Sequence, residues 1–236
     1  MLLAIDTSTR HAGVALAQDG QVISSRSWCS QANHTAELMP AVAEILNWHR
    51  LAARDLTGIA VALGPGGFSA LRVGISVAKG LALASGKPLV GLRTLDLEAH
   101  PYLASGVPVC ALLDVGRQEV AAARFGKDGQ RLAEDIIGPP LELFSGIAEP
   151  TIFCGEAVAK WMGLIREHLG TLALPVTSSP AARLWSLAAL SQQRIELDDA
   201  DDLAALQPHY LRMPSIGGPK RRDHTPQSSS RSSPQG

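Results

Sequence analysis

Residues 64–82 read Gly-Pro-Gly-Gly-Phe-Ser-Ala-Leu-Arg-Val-Gly-Ile-Ser-Val-Ala-Lys-Gly-Leu-Ala. The glycine-rich turn predicts a loop that opens into a helix, and this helix is apolar on almost every side. Its main polar side chains, Arg72, Ser76 and Lys79, are spaced so that they share one stripe. Because such a helix is buried on both flanks, we expect one flank to pack on its own sheet and the other on a partner protein.

Composition sets broad limits on the protein. The chain has 236 residues, with 21 Lys and Arg against 22 Asp and Glu, so it lacks the concentrated basic face of a freestanding nucleic-acid binder. Cys29, Cys110 and Cys154 are odd in number and widely separated, which fits neither a disulfide framework nor a CxxC zinc site. Without a signal sequence or an apolar run of membrane-spanning length, we expect a cytoplasmic protein with no membrane contact.

The order of predicted elements repeats along the chain. The first half predicts strand, strand, strand, helix, strand, helix and strand over 2–5, 13–17, 21–28, 35–49, 59–63, 69–84 and 88–92. The second half predicts the same order, then a further helix, over 109–113, 119–125, 131–137, 141–146, 151–154, 157–169, 172–176 and 181–193. We therefore predict a duplicated βββαβαβ unit with lobes at 1–106 and 107–213, and a disordered tail at 214–236.

The helix over 35–49 carries more apolar side chains, including Trp48, than one sheet is expected to cover. Together with the helix over 69–84, it predicts half of a four-helix bundle formed with a partner. The same surface would also hold a second copy of the chain. The residues predicted to bind the partner are Leu38, Met39, Val42, Ile45, Leu46, Leu71, Arg72, Ile75, Ser76 and Lys79.

Five local motifs lie within residues 2–213 of this duplicated unit. They are Ile5-Asp6-Thr7-Ser8-Thr9, His34-x-x-x-Leu38-x-Pro40, Gly64-Pro65-Gly66-Gly67-Phe68-Ser69-x-Leu71-Arg72-x-Gly74, Lys79-Gly80-Leu81-Ala82 and Leu206-Gln207-Pro208-x-Tyr210-Leu211-Arg212. The unit resembles the actin, Hsp70 and sugar-kinase superfamily, and the motifs resemble the TsaB (YeaZ) family within it. The resemblance implies a two-lobe α/β fold built from ribonuclease H-like units.

The resemblance also implies a function. It points to a noncatalytic subunit that binds a TsaD-like transferase, which transfers a threonylcarbamoyl group from its adenylate to a tRNA adenosine. A TsaE-like ATPase would join the complex, and tRNA would meet this chain only indirectly. The alternative is an independent actin-like small-molecule kinase or ATPase.

Two acidic turns bear on that alternative. In the kinases, the first hairpin holds a metal-bound water opposite a nucleotide, and Asp6 and Asp114 stand in such turns here. Arg10, His11 and Arg117 stand where small residues would let backbone N–H groups face phosphates. We therefore expect Asp6 to hold its own turn, and we expect the isolated chain to bind no cofactor. ATP would bind only at the interface of a complex.

A weaker anion-binding turn stays open as an alternative. The glycine turn is not a P-loop, but it directs helix N–H groups at whatever lies above it. Close backbone packing is the commoner reason for such glycines. The residues predicted for this turn are Asp6, Thr7, Ser8, Gly66 and Gly67.

No arrangement of catalytic residues stands out in the sequence. By the resemblance, TsaD carries two metal-binding histidines four residues apart, and the matching positions here are Thr94 and Glu98. His34 and Glu37 share one helix face, which is more typical of a solvated or capping pair than of metal ligands. The serine turn at Ser69 is not Gly-x-Ser-x-Gly, which argues against a hydrolase. We expect no catalytic residue and no metal.

Overall fold

The computed structural model describes residues 1–31, 33–177 and 179–212, so the predicted tail at 214–236 lies outside the described residues. The first half of the chain contains β1 (Leu2–Asp6), β2 (His11–Gln18), β3 (Gln21–Cys29), α1 (His34–Trp48), β4 (Gly58–Gly64), α2 (Phe68–Ser85), β5 (Leu89–Arg93) and α3 (Thr94–Ala99). The predicted elements of this half are confirmed to within a few residues, except that α3 was not expected. A short 3-10 helix, His100–Ser105, then leads into the second half.

The second half contains β6 (Val109–Gly116), β7 (Glu119–Phe125), β8 (Ile136–Gly138), α4 (Pro140–Phe144), β9 (Thr151–Cys154), α5 (Ala157–Leu169), β10 (Ala173–Pro175) and α6 (Ala182–Glu196). The prediction of a strand over 131–137 was too long. Arg131 forms an isolated bridge to Phe125, and the strand proper begins at Ile136. Two further 3-10 helices are Ala53–Asp55 and Gly170–Leu172.

The two halves build two sheets of the same topology. The first has the order β3-β2-β1-β4-β5 and the second the order β8-β7-β6-β9-β10. In each sheet the first three strands are antiparallel, and the first, fourth and fifth are parallel. The repeated order confirms the predicted duplication and the two-lobe α/β fold.

The apolar arc of α1 is covered within its own lobe, because α1 packs against both the sheet and α2. The core of the first lobe contains five of the residues predicted to bind a partner, namely Leu38, Val42, Ile45, Leu46 and Ile75, and a sixth, Leu71, is also buried. Their side chains are at most 8% exposed. This part of the prediction is therefore corrected, since the flank of a second helix supplies the cover that one sheet alone could not.

The helix that ends each half of the described chain packs on the sheet of the other half. Helix α3 packs on β6 and β7 of the second sheet, whereas α6 crosses all five strands of the first. The segment after α6 also returns to the first sheet, where the N–H of Asp201 donates to Leu89 O and that of His209 to Leu63 O. The predicted boundary at residue 106 thus separates the two sheets in sequence, but the packing of the helices crosses it.

Helix α2 is long and apolar enough to cross a membrane by length and composition, which corrects the prediction that no apolar run reaches that length. One such helix is weak evidence for a membrane span. The inner face of α2, with Leu71, Ile75 and Ala78, is buried in the first lobe.

Candidate functional site between the lobes

A buried arginine stands where the two lobes meet. The side chain of Arg183, in the first turn of α6, is 0% exposed. Its Nε donates to Asp6 Oδ2 at 2.6 Å, and its Nη1 donates to Glu98 Oε1 at 2.9 Å and also to Glu156 Oε1. Asp6 ends β1, Glu98 lies on α3 and Glu156 directly precedes α5. One guanidinium therefore joins four elements.

The remaining donors of Arg183 hold the turn between β1 and β2. Its Nη2 donates to Thr9 Oγ1 and to the carbonyl of His11, both at 2.9 Å. The guanidinium thus makes five hydrogen bonds, which is its full donor count. We call Arg183 and its five partners the Arg183 cluster.

Burial and charge act in opposite directions in the Arg183 cluster. Burial alone lowers the pKa of Arg183, but the carboxylates of Asp6, Glu98 and Glu156 raise that pKa above its usual value. Burial raises the pKa of Glu98 to about 7, although Arg183 acts to lower it. The guanidinium therefore stays charged, whereas Glu98 is poised between its neutral and ionised forms near neutral pH.

The second hairpin repeats the pairing at the surface. Asp114 Oδ2 accepts from Lys160 Nζ at 2.6 Å, and its Oδ1 accepts from the Gly116 N–H at 2.8 Å. Burial acts to raise the pKa of Asp114, but these two donors lower it. Both hairpin carboxylates, Asp6 and Asp114, are thus held by cations of the same chain. This arrangement does not fit a site for a metal-bound nucleotide, in which both carboxylates would be free to face a hydrated metal ion.

A cavity of about 810 Å³ opens between the lobes beside the Arg183 cluster. Its walls come from the β1–β2 turn, the segment before α1, the first turn of α2 and the end of β6. The lining residues are Ser8, Thr9, Arg10, Ser30, Gln31, His34, Gly66, Gly67, Phe68, Ser69, Ala70, Leu113, Asp114, Val115 and Glu156. We call it the interlobe cavity.

The residues of the predicted anion-binding turn fall into two groups, one on the cavity wall and one buried. Ser8, Gly66 and Gly67 line the interlobe cavity. Asp6 and Thr7 are buried, at 1% and 0% exposure, and are engaged elsewhere. The Thr7 hydroxyl donates to Ala70 O at 2.7 Å, and Asp6 accepts from Arg183 and from Ser8.

The glycines of the turn serve close packing. A Cβ atom on Gly66 would lie 2.0 Å from Ser8 O. The N–H of Gly67 donates to that same oxygen at 2.9 Å, so it is not free for a ligand. Further along α2, a Cβ on Gly74 would lie 2.3 Å from Thr7 Oγ1. The turn and α2 can therefore press against the first hairpin only without side chains at these positions.

His34 and Glu37 are not joined by a hydrogen bond among the described residues. His34 is buried, at 9% exposure, and its Nδ1 has no hydrogen-bond partner among the described residues. Glu37 instead accepts from Trp28 Nε1 at 2.9 Å. Burial lowers the pKa of His34, so the imidazole is neutral at neutral pH. The prediction of a solvated or capping histidine is therefore corrected.

The other residues predicted to bind a partner lie on the outer surface of the first lobe. Met39 is 46% exposed, Arg72 and Ser76 are exposed, and Lys79 is half-buried. Leu83, at 77% exposure, continues the stripe of Arg72, Ser76 and Lys79 by helical spacing. The stripe reaches the surface as expected, although with less apolar area than the sequence suggested.

Sequence reasoning missed Arg183 and Glu156. The available signal was a charged residue in the run Ala-Ala-Arg-Leu-Trp-Ser-Leu at 181–187, where a core-facing helix is expected to be apolar. Nothing in the spacing links Arg183 to Asp6, because 177 positions separate them along the chain.

Comparison with known proteins identifies chains of similar sequence. Residues 28–161 match the family model of TsaD, tRNA N6-adenosine threonylcarbamoyltransferase. Over 220 residues the chain is 30% identical to the tRNA threonylcarbamoyladenosine biosynthesis protein TsaB of Bacillus subtilis, with 90% of this chain and 94% of that protein covered.

Solved structures agree with these sequence matches. YeaZ from Pseudomonas aeruginosa superposes with a TM-score of 0.70 at 28% identity, covering 89% of this chain and 99% of the other. An inorganic polyphosphate/ATP-glucomannokinase from Arthrobacter superposes with a TM-score of 0.50 at 15% identity, over 81% of this chain and 98% of the other. At that identity the kinase shows a shared fold alone.

Proposed function

Because this chain belongs to the TsaB (YeaZ) family, we propose that it is a noncatalytic subunit that binds a TsaD-like transferase. Family membership gives the chain a role in the biosynthesis of tRNA threonylcarbamoyladenosine. By the resemblance described above, we extend the proposal to a cytoplasmic complex with a TsaE-like ATPase, in which tRNA meets this chain only indirectly. A second copy of the chain would take the same surface when the transferase is absent.

The observation that carries the proposal is the exposed outer surface of two packed helices. Helices α1 and α2 lie side by side, and each presents apolar groups to solvent. Met39 is 46% exposed on α1, and Leu83 is 77% exposed on α2. The outer surface of α1 also carries Trp48, which is 83% exposed at the end of the helix, and small groups such as Ala36 and Ala43, both exposed, which allow close approach of a helix. Two helices of a partner would complete a four-helix bundle here.

The noncatalytic role is supported by how the acidic residues are used. Glu98, which stands where the transferases carry a metal-binding histidine, is held by Arg183 at 2.9 Å. Asp6 and Asp114 are likewise held by Arg183 and Lys160. These carboxylates neutralise cations of their own chain, so we propose that the isolated chain neither modifies tRNA nor hydrolyses ATP.

Substituting Met39→Glu tests the docking surface. A carboxylate placed against an apolar partner surface lacks compensation when water is removed, so we expect the affinity for the TsaD-like protein to fall more than tenfold. Calorimetric titration of the two purified full-length proteins measures this change. Because Met39 is exposed, the variant should unfold at the same temperature as the parent chain.

Leu141→Glu is the matched control. Leu141 lies on the second lobe and is also 46% exposed, so both substitutions add the same charge at the same exposure. We expect Leu141→Glu to bind like the parent chain. Unchanged binding by Met39→Glu, or equal losses in both variants, would place the interface elsewhere. Turnover of ATP by the isolated chain that disappears in Asp6→Asn would instead support the independent kinase or ATPase.

A further inference from the structure

An arginine on the outer surface of α2 is held in one orientation by two aromatic side chains. Arg72 is exposed, and its guanidinium carbon lies 3.9 Å from the centre of the Phe68 ring, one helical turn earlier. Its Nε donates to the hydroxyl of Tyr210 at 3.0 Å. The rings of Phe68 and Tyr210 stack on each other, with their centres 4.9 Å apart. A long side chain that is normally mobile at a surface is therefore already fixed in the isolated chain.

The second lobe sets the position of Tyr210. Just before it in the chain, His209 Nε2 is 3.0 Å from Asp135 Oδ2. Just after it, Nη1 and Nη2 of Arg212 donate to the two carboxylate oxygens of Glu119, at 2.7 and 3.0 Å. Both carboxylates belong to the second lobe, so Tyr210 is tied to that lobe on each side while it contacts α2 of the first.

The two Nη atoms of Arg72 are still available. Within the described part of the chain they make no hydrogen bond or ion pair, because the guanidinium is held through Nε and through its flat face. Arg72 lines neither the interlobe cavity nor the smaller cavity beside Tyr210. It shares the outer stripe of α2 with Ser76 and Lys79. Its free donors are therefore on the outer surface of the first lobe.

We propose that Arg72 is a preorganised anchor that binds a carboxylate side chain of the docking partner. The inference rests on the proposed function and adds the chemistry of the group that the partner presents at this end of α2. Since Nε is occupied, the carboxylate accepts two parallel hydrogen bonds from Nη1 and Nη2. Because the side chain is already fixed, little conformational entropy is lost when the partner binds.

The surroundings of Arg72 favour a protein carboxylate over an RNA phosphate. Helices α1 and α2 together contain two Lys and Arg residues, Arg72 and Lys79, which do not make a basic patch. The same surface exposes the apolar side chains of Met39 and Leu83. A few oriented polar groups among apolar ones are typical of a protein–protein interface.

Arg72→Gln tests the anchor in calorimetric titrations with the full-length TsaD-like protein. It removes the positive charge and the paired donors, so we expect the affinity to fall at least tenfold. Arg72→Lys keeps the charge but lacks the planar pair of donors, and it should recover little of that loss. The matched control is Arg166→Gln, because Arg166 is also exposed on a helix but lies on the second lobe. The control should bind like the parent chain.

Tyr210→Phe tests the positioning of Arg72 without any partner. The new ring still stacks on Phe68, but the hydroxyl that accepts from Arg72 is gone. In the isolated full-length chain, NMR relaxation of the Arg72 Nε–H group should show a rigid group in the parent and a mobile one in the variant. Tyr102→Phe is the control, since the Tyr102 hydroxyl makes no hydrogen bond to the described residues.

The two substitutions should also be coupled in their effect on partner binding. Tyr210 acts through Arg72, so Tyr210→Phe should weaken binding severalfold in the parent chain and have no further effect in Arg72→Gln. Additive losses, or an Arg72 Nε–H group that is equally mobile in the parent and in Tyr210→Phe, would overturn the positioning role of Tyr210.

The anchor and the docking function can fail separately. If Met39→Glu loses binding while Arg72→Gln and Arg166→Gln bind equally well, the docking surface stands and the anchor is wrong. If none of these substitutions weakens binding, the docking surface itself lies elsewhere. If Arg72→Gln leaves the affinity for the transferase unchanged but weakens tRNA binding by the assembled complex, the guanidinium contacts an RNA phosphate and the proposal is overturned.

Discussion

The two hairpin turns use the same device at different depths. In the β1–β2 turn, Asp6 is paired with Arg183, and the two side chains are 2% and 0% exposed. In the β6–β7 turn, Asp114 is paired with Lys160, and these side chains are 34% and 45% exposed. Both turns occupy the same place in the duplicated unit. Each acidic group is therefore held by a cation from a helix of the same chain, but only the first pair is buried away from solvent.

Depth decides what each pair contributes to stability. Removing one partner of a buried pair leaves an uncompensated charge in a medium of low polarity, whereas an exposed pair is screened by water and contributes about 0–1 kcal/mol. The Asp6–Arg183 pair thus helps to hold the two lobes together, whereas the Asp114–Lys160 pair is a surface contact. Substitutions at the buried pair should therefore cost more stability than substitutions at the exposed pair.

Arg183→Met should produce the largest loss. It leaves Asp6, Glu98 and Glu156 facing one another without a cation, and breaking a buried pair in this way costs about 3–5 kcal/mol in the free energy of unfolding. Urea denaturation at neutral pH measures it. Arg194→Met is the control on the same helix, because Arg194 is also ion-paired but 25% exposed. Similar losses in both variants would contradict the assigned role of depth.

Glu98 should give the stability a characteristic dependence on pH. Its folded-state pKa, about 7, lies above the unfolded value of 4.5, so the folded chain binds a proton more tightly than the unfolded chain. The contribution of Glu98 to stability is therefore fully present below pH 4.5 and is lost as pH rises to about 7. The loss is on the order of a few kcal/mol.

Glu98→Gln isolates this contribution because glutamine does not titrate. The difference in unfolding free energy between the parent chain and the variant should shift against the parent as pH rises from 5 to about 7. Chemical denaturation at several pH values gives that difference, and groups such as His34 cancel in the subtraction. A constant difference across this range would show that Glu98 stays ionised beside Arg183.

Lys160→Met should have the smallest effect. The pair with Asp114 is partly exposed, so we expect the free energy of unfolding to fall by no more than about 1 kcal/mol. Raising the salt concentration should shrink that difference further. Parallel urea titrations of the parent and variant at low and high salt provide the test. A loss as large as that of Arg183→Met would mean that both hairpins work alike.

The duplication could be predicted from the sequence because it depends on patterns between residues close together along the chain. Short apolar runs, Asp-Gly turns and helix-length segments recur in the same order, and the sheets follow that order. The surface of α1 could not be predicted in the same way. How wide an apolar arc becomes buried depends on what else packs on the helix, and α1 is covered by α2 as well as by the sheet.

The Arg183 cluster was out of reach for a related reason. Its members come from α3, α6, the β1–β2 turn and the start of α5, and they meet only because the lobes exchange helices. A local pattern cannot report a contact between residues 6 and 183. Glu98 was noticed for the imidazole that it replaces, but its actual partner could be identified only in three dimensions.

The exchange of helices also bears on how the chain is made. Strand β1 leaves the ribosome well before α6, the helix that covers one face of its sheet and spans residues 182–196. At about 5–20 residues per second, that face waits on the order of ten seconds or more for its cover. During translation the first sheet therefore exposes an apolar face that can bind other chains. Folding of the amino-terminal lobe is completed only after α6 has been synthesised.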